Sequence, residues 1–175
     1  NRFCGLIIDN LKIKDSPEFI KNRLKAIGLN PINNIVDITN YVMHELGQPL
    51  HVYDRAKIKS NTIRIKKINT KSKFTILDGK EIELNKDDLM IFDEDSPMCL
   101  AGIYGGLNYS VSSETKTIFL ESAFFNPVSI RKSSKRHSLN TDSSYRFERG
   151  VDLENTEFAL KRAAALIIEH CEGNI

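Results

Sequence analysis

The spacing of apolar residues changes twice along the chain, and this change limits the folds that the chain can adopt. Ile20, Leu24 and Ile27 recur at helical spacing, whereas short runs between residues 61 and 84 alternate apolar with basic residues. The helical period returns after Asp152. Alternation is typical of half-buried strands, and spacings of three and four are typical of amphipathic helices. The sequence therefore predicts an α+β fold with antiparallel, sandwich-like sheets flanked by helices.

The predicted helices carry recognisable end signals. Ser16 precedes Pro17, which suits the first helical position, and Gly28 can adopt the left-handed conformation that stops a helix. Asparagine and aspartate serve as helix caps in the same way as serine. The predicted helices run from Ser16 to Gly28, from Asn33 or Asn34 to Gly47, from Asn126 to Arg136 and from Asp152 to Gly173, the last with an inner stripe of Leu153, Leu160, Ala164, Ile167 and Ile168.

The predicted strands are rich in β-branched and aromatic residues. An Asp78-Gly79 pair marks a tight hairpin within the alternating region. Pro49 ends the second helix, so His51 is expected beside a turn. Strands are predicted at Phe3–Lys14, within 61–84, at Leu89–Asp93, at Met98–Ile103 and at Ile118–Phe125.

A polar and aromatic segment, Ser138–Gly150, is predicted to be held by turns, because its short hydroxyl and carboxylate side chains bond nearby backbone. It leads toward a helix start, where an anionic or carbonyl-bearing ligand could bind. The alternative is an ordered surface loop with Tyr145 and Phe147 tucked into the core.

Length and composition indicate one domain spanning residues 1–175. Lys and Arg number 25 against 23 Asp and Glu, so the whole chain has no strong pull toward polyanions. Three scattered cysteines suggest reduced thiols, and no apolar run approaches the ~20 residues of a membrane span. Because the chain starts with Asn1 rather than Met, we expect it to be a piece of a longer polypeptide.

Four features are candidates for chemistry: His51, the glycines from Gly102 to Gly106, Glu121, and the turn from Thr141 to Ser144. Glu121 is the most informative, because a buried carboxylate in an apolar strand needs a partner. A ligand hydroxyl or backbone N–H groups could be that partner. The alternatives are a solvent-facing place on an edge strand, or an ion pair with Arg131 or Arg146. A lone histidine such as His51 is more often structural than catalytic.

Other chemistries lack their usual sequence patterns. No nucleophile elbow, zinc spacing or phosphate-binding glycine loop occurs, so neither an activated serine nor a metal site is predicted. The stretch from 131 to 149 is nevertheless basic. It either contacts a phosphate backbone or forms a solvated charged face. Its cations are Arg131, Lys132, Lys135, Arg136, His137, Arg146 and Arg149.

Five motifs in order along the chain resemble the B3/B4 domain of the bacterial phenylalanyl-tRNA synthetase beta subunit. They are Asn33-Asn-Ile-Val-Asp-Ile-Thr-Asn-Tyr41, Glu45-Leu-Gly-Gln-Pro-Leu-His51 with Asp54, Ala101-Gly-Ile-Tyr-Gly-Gly106, Leu120-Glu-Ser-Ala-Phe124 and Thr141-Asp-Ser-Ser-Tyr-Arg-Phe-Glu-Arg-Gly150. The resemblance implies an editing domain that hydrolyses tRNA(Phe) mischarged with tyrosine. A pocket built for phenylalanine cannot strongly reject an added hydroxyl, so a second site must read it.

The resemblance also assigns residues. It implies that Glu121 contacts the tyrosine ring hydroxyl, that His51 and Asn40 lie in the editing pocket, and that Thr141 is its threonine. Ser143 stands where the family commonly has alanine, and Asn30 stands where relatives often have arginine. With no activated Ser or Cys, we expect a water to attack the ester, positioned by His51, Thr141 and the substrate's ribose hydroxyl. Backbone N–H groups near Gly102, Gly105 and Gly106 would stabilise the oxyanion.

The resemblance further implies the setting of the domain. It needs no cofactor itself, whereas the whole cytoplasmic enzyme uses ATP and Mg in an alpha subunit and consists of two alpha and two beta chains. Its partner is the 3′ end of tRNA(Phe) carrying tyrosine, and no membrane is involved. The alternative is a non-catalytic tRNA-docking or subunit-packing module, to which the Ser143 and Asn30 departures point. A free-standing deacylase acting in trans would be expected to start with Met.

Overall fold

The structure of the protein is a computed structural model that describes residues 2–175. It contains helices and antiparallel sheets, which confirms the predicted α+β class. The strands are β1 (Arg2–Ile8), β2 (Leu50–Asp54), β3 (Ile63–Lys67), β4 (Ser72–Thr75), β5 (Glu81–Leu84), β6 (Leu89–Asp93), β7 (Ser96–Leu100), β8 (Tyr104–Gly105) and β9 (Ile118–Phe124). The helices are α1 (Glu18–Ala26), α2 (Asn34–Leu46), α3 (Pro127–His137), α4 (Asp142–Phe147) and α5 (Asn155–Cys171).

The contacts group the chain into two compact units, and each is described by itself. The helical unit consists of Arg2–Ala56, Val111–Phe124 and Val151–Ile175, and the sheet unit consists of Lys57–Ser110 and Phe125–Gly150. The prediction of one domain over residues 1–175 stays a prediction.

The helical unit is built on a three-stranded antiparallel sheet in the order β1-β9-β2. Helices α2 and α5 pack against each other and against this sheet. Alternate side chains of the strands, such as Ile8, Val52 and Leu120, enter a common core with the apolar faces of the helices. One face of the sheet therefore packs into this core, and the side chains on the other face do not take part in it.

Helix α2 begins and ends where the sequence predicts. The side chain of Asn33 accepts hydrogen bonds from the backbone N–H groups of Ile35 (3.1 Å) and Val36 (2.9 Å). Gly47 ends the helix with a φ of 71°, a conformation that glycine adopts without steric cost.

Ser16 does not cap α1, contrary to the prediction. Its hydroxyl donates to the buried carboxylate of Asp37 (2.5 Å), and α1 starts at Glu18 after Pro17 without a side-chain cap. A buried carboxylate needs donors more than a helix end near solvent needs an acceptor, which explains the different use of Ser16.

Two other predicted boundaries in this unit are wrong. Strand β1 ends at Ile8, not Lys14, because Asn10 has a φ of 57°, which a strand cannot contain. Helix α5 starts at Asn155, and the carboxylate of Asp152 accepts the N–H of Glu154 (2.9 Å) in the preceding turn. Within α5, Ile168 is 38% exposed rather than part of the inner stripe.

The sheet unit contains a four-stranded antiparallel sheet, β3-β6-β7-β8, and the hairpin β4-β5. The hairpin turns at the predicted place, where Gly79 has a φ of 83°. Strand β7 starts at Ser96 rather than Met98, because the chain reverses one step earlier at Glu94, whose φ is 54°.

The prediction that turns hold the segment 138–150 was wrong, because the segment contains helix α4. The Thr141 hydroxyl accepts the N–H of Ser144 (3.0 Å), and the Ser144 hydroxyl accepts the N–H of Thr141 (2.9 Å). This reciprocal pair is a capping box. The hydroxyl side chains that compete with regular structure inside a helix instead start one here.

Candidate functional site

Glu121 lies on the middle strand of the sheet in the helical unit. In the register of β9 it stands opposite Gly5 of β1 and His51 of β2. Its neighbour Leu120 points into the helical core, so Glu121 points to the other face of the sheet. The alternative of a solvent-facing place on an edge strand is therefore wrong, and only 5% of Glu121 is exposed.

The buried carboxylate of Glu121 has a partner in the hydroxyl of Tyr53. Tyr53 Oη donates a hydrogen bond of 2.6 Å to Glu121 Oε2, and Tyr53 is fully buried. Burial raises the pKa of Glu121, the Tyr53 hydrogen bond opposes this effect, and the resulting pKa is about 7. Near neutral pH this carboxyl group is therefore present in both its charged and its neutral form.

His51 is the second residue of strand β2, just after the connection from α2, and it lies beside Glu121. Its ring is half-buried and meets the ring of Tyr53 edge to face, with centroids 4.5 Å apart. Burial lowers the pKa of His51 to about 4, because the charged imidazolium would lose water. At neutral pH the ring is uncharged, so it can both accept and donate a hydrogen bond.

Aromatic rings form an apolar wall on the same face of the sheet. The ring of Phe119 lies over Gly5, and a Cβ atom at Gly5 would be 2.4 Å from Phe119 Cζ. Phe119 also lies near Tyr53, at 6.1 Å between centroids, and near Phe3, at 6.3 Å. The absence of a side chain at Gly5 thus gives Phe119 its place next to Glu121.

Asn40 is partly exposed on helix α2. Within residues 2–175, no hydrogen bond connects Asn40 with Glu121, His51 or Tyr53. The structure brings His51 to Glu121 by strand pairing, but it gives Asn40 no described contact with them. The pocket role of Asn40 stays a prediction.

Thr141 and Ser143 belong to the sheet unit. Besides capping α4, the Thr141 hydroxyl donates to the carbonyl oxygen of Ile103 (3.1 Å), so it ties the start of α4 to the turn at Gly102. Ser143 is partly buried in the first turn of α4. These contacts give Thr141 a structural use, and the pocket roles of both residues stay predictions.

The glycines of the sheet unit allow close packing. Gly102 has a φ of 69°, and a Cβ there would lie 2.9 Å from Phe147 and 3.0 Å from Phe125. A Cβ at Gly106 would lie 2.6 Å from a backbone oxygen, and the Gly106 N–H already donates to Met98 O (2.8 Å). Gly105 lies in β8. Their predicted oxyanion role has no described contact in its support.

No group of three or more His, Cys, Asp or Glu side chains that could hold a metal ion occurs in residues 2–175. Across the same residues, no helix has both the length and the apolar character needed to cross a membrane.

Sequence reasoning missed two residues of this site, Tyr53 and Gly5. A signal for Tyr53 exists, because Leu50 to Asp54 alternates between core-facing and outward residues as a short strand does. Pro49, which follows the end of α2, predicts a turn before this strand instead. Gly5 gives no local signal, since its role depends on a ring more than 100 positions away.

Comparison with known proteins is consistent along the whole chain. The sequence profile of the B3/4 domain matches residues 1–172. The chain is 53% identical over 175 residues to the phenylalanine–tRNA ligase beta subunit of Porphyromonas gingivalis, and 47% identical over 174 residues to that of Bacteroides fragilis. In both cases the match covers 99% of this chain but 21% of the relative, so the chain spans about a fifth of these proteins.

A solved structure supports the fold. It is an N-terminal fragment of the phenylalanyl-tRNA synthetase beta subunit from Pyrococcus horikoshii, with a TM-score of 0.63 at 14% identity. The match covers 99% of this chain and 46% of that fragment. At this identity the likeness concerns the fold alone. With its profile match over 172 residues and its close bacterial relatives, the chain belongs to the B3/4 domain family.

Proposed function

We propose that this chain is the editing domain of a phenylalanine–tRNA ligase and that it hydrolyses tyrosine wrongly attached to tRNA(Phe). The observation that carries the proposal is the buried carboxylate of Glu121, which accepts a hydrogen bond from a phenol, that of Tyr53, at 2.6 Å. A ligand's tyrosine hydroxyl is the same chemical group. The relatives named above are ligase beta subunits, which supplies the substrate context.

Discrimination between tyrosine and phenylalanine follows from the cost of an unpaired buried group. A tyrosine side chain can donate a hydrogen bond from its hydroxyl to Oε1 of Glu121, the oxygen that Tyr53 does not bond, whereas phenylalanine would cover this oxygen without giving it a partner. Such a loss costs about 1–3 kcal/mol, and more for a charged group. The aromatic wall of Phe119 and Phe3 suits the ring of either amino acid, so it is the hydroxyl that separates the two.

Hydrolysis in this proposal uses water as the nucleophile. The water oxygen attacks the ester carbonyl carbon, the bond from that carbon to the ribose oxygen breaks, and the water's protons pass to the ribose oxygen and to solvent. His51 is uncharged at neutral pH and can orient this water through a ring nitrogen. A cysteine nucleophile is not favoured, because burial raises the pKa of Cys171 to about 12 and Cys99 is also buried.

The wider setting is part of the same proposal. The chain would act within a beta subunit, alongside an alpha subunit that carries the ATP- and Mg-dependent synthetic site, in an assembly of two alpha and two beta chains. The substrate would be the tyrosylated 3′ end of tRNA(Phe), encountered in the cytoplasm. This chain supplies the sorting of the amino acid side chain.

Deacylation by the complete enzyme that contains this chain tests the proposal. Tyr-tRNA(Phe) and Phe-tRNA(Phe) are compared for wild type and for Glu121→Ala, Glu121→Gln, His51→Ala and Thr141→Val. Glu121→Gln keeps the size of the side chain and removes its charge. We expect the preference for Tyr-tRNA(Phe) to fall about 10- to 100-fold in both Glu121 variants. Glu114→Gln, on an exposed loop of the same unit, is the matched control and should behave as wild type.

Wild-type preference for tyrosine in both Glu121 variants would contradict the reading of the hydroxyl by this residue. Wild-type hydrolysis in all four variants would contradict the assignment of the editing site to these residues.

A non-catalytic tRNA-docking module is the second candidate, and one surface favours it. Arg131, Lys132 and Lys135 are exposed on one face of α3, and no ion pair within residues 2–175 involves them. Such a face suits a phosphate backbone. Retained tRNA binding together with absent Tyr-tRNA(Phe) hydrolysis in the wild-type enzyme would select this function over editing.

A further inference from the structure

Tyr53 has the strongest unassigned contact in the site. It follows His51 by two positions on β2, so both side chains lie on the same face of the sheet as Glu121. Tyr53 is fully buried and packs its ring against His51, with its hydroxyl 2.6 Å from Glu121 Oε2. The ring alone would pack equally well as phenylalanine, so the hydroxyl needs a separate explanation.

The hydroxyl of Tyr53 occupies one half of the Glu121 carboxylate. A carboxylate has two oxygens that can accept about four hydrogen bonds in total. Oε2 accepts the hydrogen bond from Tyr53, and no hydrogen bond from a residue in 2–175 reaches Oε1. The bond to Oε2 fixes the rotation of the carboxylate plane and leaves Oε1 as the acceptor.

We propose that Tyr53 is a positioning residue for hydroxyl recognition: its bond to Oε2 directs Glu121 so that Oε1 receives the hydroxyl of the amino acid being sorted. This inference rests on the proposed editing function and adds to it the residue that makes Glu121 selective. Tyr53 acts through Glu121 and does not itself touch the reacting ester.

The charge on Glu121 also depends on Tyr53. Burial raises the pKa of this carboxyl, the Tyr53 hydroxyl opposes the rise, and no charged side chain contributes to the shift. The titratable groups on this face of the sheet are His51 and Tyr53 from β2, while β1 contributes Gly5, which has none. Without the Tyr53 hydroxyl, Glu121 would hold its proton to higher pH and rotate more freely.

The Tyr53→Phe variant of the complete enzyme tests the inference. We expect the ratio of kcat/KM for Tyr-tRNA(Phe) over Phe-tRNA(Phe) to fall about 10- to 100-fold at pH 7, the usual effect of losing a hydrogen bond to a charged group. We also expect the acid limb of the pH profile to move to higher pH, with part of the ratio recovered at pH 9. A purely structural role would lower the rates at every pH without moving the limb.

A matched control exists in the sheet unit. Tyr109 is also buried, at 9% exposure, and burial, with a contribution from Asp93, raises the pKa of its hydroxyl. Tyr109→Phe therefore removes a buried phenol hydroxyl that interacts with a carboxylate elsewhere in the chain. It should affect thermal unfolding without changing the tyrosine-to-phenylalanine ratio or the pH profile.

A double-mutant cycle keeps the test valid if Tyr53→Phe folds poorly. The variant carrying both Glu121→Gln and Tyr53→Phe has no buried charge to destabilise it. If Tyr53 acts through Glu121, this double variant has the same ratio as Glu121→Gln alone, and an additive loss overturns the inference.

The remaining outcomes are distinct. An unchanged ratio and pH profile in Tyr53→Phe, with wild-type discrimination intact, overturns the inference and leaves the proposed function standing. A higher ratio also overturns it, because Tyr53 would then compete with the ligand for Glu121. Absence of any tyrosine preference in the wild-type enzyme overturns the editing function and this inference with it.

Discussion

Replacing Asp88 with asparagine is predicted to destabilise the sheet unit, because this carboxylate connects helix α3 to the start of β6. Asp88 is fully buried and accepts hydrogen bonds from Ser133 Oγ (2.6 Å), from the N–H of Asn85 (2.8 Å) and from Arg136. Its second oxygen also lies 2.7 Å from His137 Nε2. Four donors therefore converge on one side chain.

The size of the effect follows from these contacts. Asparagine keeps one acceptor oxygen, but its NH₂ group faces donors, so at least two of the four contacts become unpaired. Each unpaired buried group costs about 1–3 kcal/mol, and breaking a buried ion pair costs about 3–5 kcal/mol. Because the Arg136 side chain is 30% exposed and can turn to water, we expect a loss near the lower end, about 3 kcal/mol.

Urea unfolding of the purified chain at pH 7 measures this loss. Asp87→Asn is the matched control, since Asp87 is the adjacent residue with a half-exposed side chain and a loose 3.7 Å ion pair to Lys67. We expect it to change the free energy of unfolding by under about 1 kcal/mol. A loss of less than about 1 kcal/mol in Asp88→Asn, or equal losses in both variants, would refute the reasoning.

The pH dependence provides a second check on Asp88. Burial would raise its pKa, but the hydrogen bonds from Ser133, Asn85 and His137 outweigh this, and the pKa is lowered. A carboxyl with a lowered folded pKa contributes stability above its unfolded pKa of about 3.9 and loses it as the pH falls through the folded value. The difference in stability between wild type and Asp88→Asn should therefore be constant above about pH 5 and shrink in more acid solution.

Three other changes have specific expected outcomes. Gly5→Ala places a Cβ 2.4 Å from the Phe119 ring, so thermal unfolding should show a loss of about 1–3 kcal/mol in the free energy of unfolding. Most of this loss should be absent in a Phe119→Leu background, and equal losses in both backgrounds would contradict the packing. Thr141→Val keeps the shape of the side chain but removes the cap of α4, so the free energy of unfolding should fall by about 1–2 kcal/mol. Hydrogen exchange at the Ser144 amide should become faster, and unchanged exchange would contradict this prediction. Cys171 is fully buried with a pKa of about 12, so mass spectrometry should find it unmodified by iodoacetamide until the chain unfolds, and early labelling would count against its burial.

Elements whose ends are decided locally were predictable from the sequence. Helix α2 has its asparagine cap, its apolar face and its terminal glycine within 15 consecutive residues, and the cap and the glycine act through contacts within the helix. The hairpin at Gly79 and the cap at Asn126 are local in the same sense. In each case the residues that determine the structure are the ones that adopt it.

Elements that depend on distant partners were not predictable in the same way. Ser16 resembles a cap in sequence, but the carboxylate of Asp37 reaches it from 21 positions away. Strand β2 is five residues long and becomes a strand by pairing with β9. The proposed editing role of Glu121 rests on resemblance to a family, whereas its phenol partner, Tyr53, is seen only in the structure.

The pairing of β2 with β9 connects the stability of the fold to recognition in the site. Tyr53 and Glu121 are 68 positions apart, and they meet because Tyr53 pairs with Phe119 and His51 pairs with Glu121. The same register sends Val52 and Leu120 into the helical core. A slip of one residue in this pairing would turn His51 and Tyr53 into that core and turn Val52 out of it. The register is therefore fixed, because the slip would lose the burial of apolar side chains in the core. The buried apolar residues on one face of the sheet therefore hold Glu121, His51 and Tyr53 in place on the other.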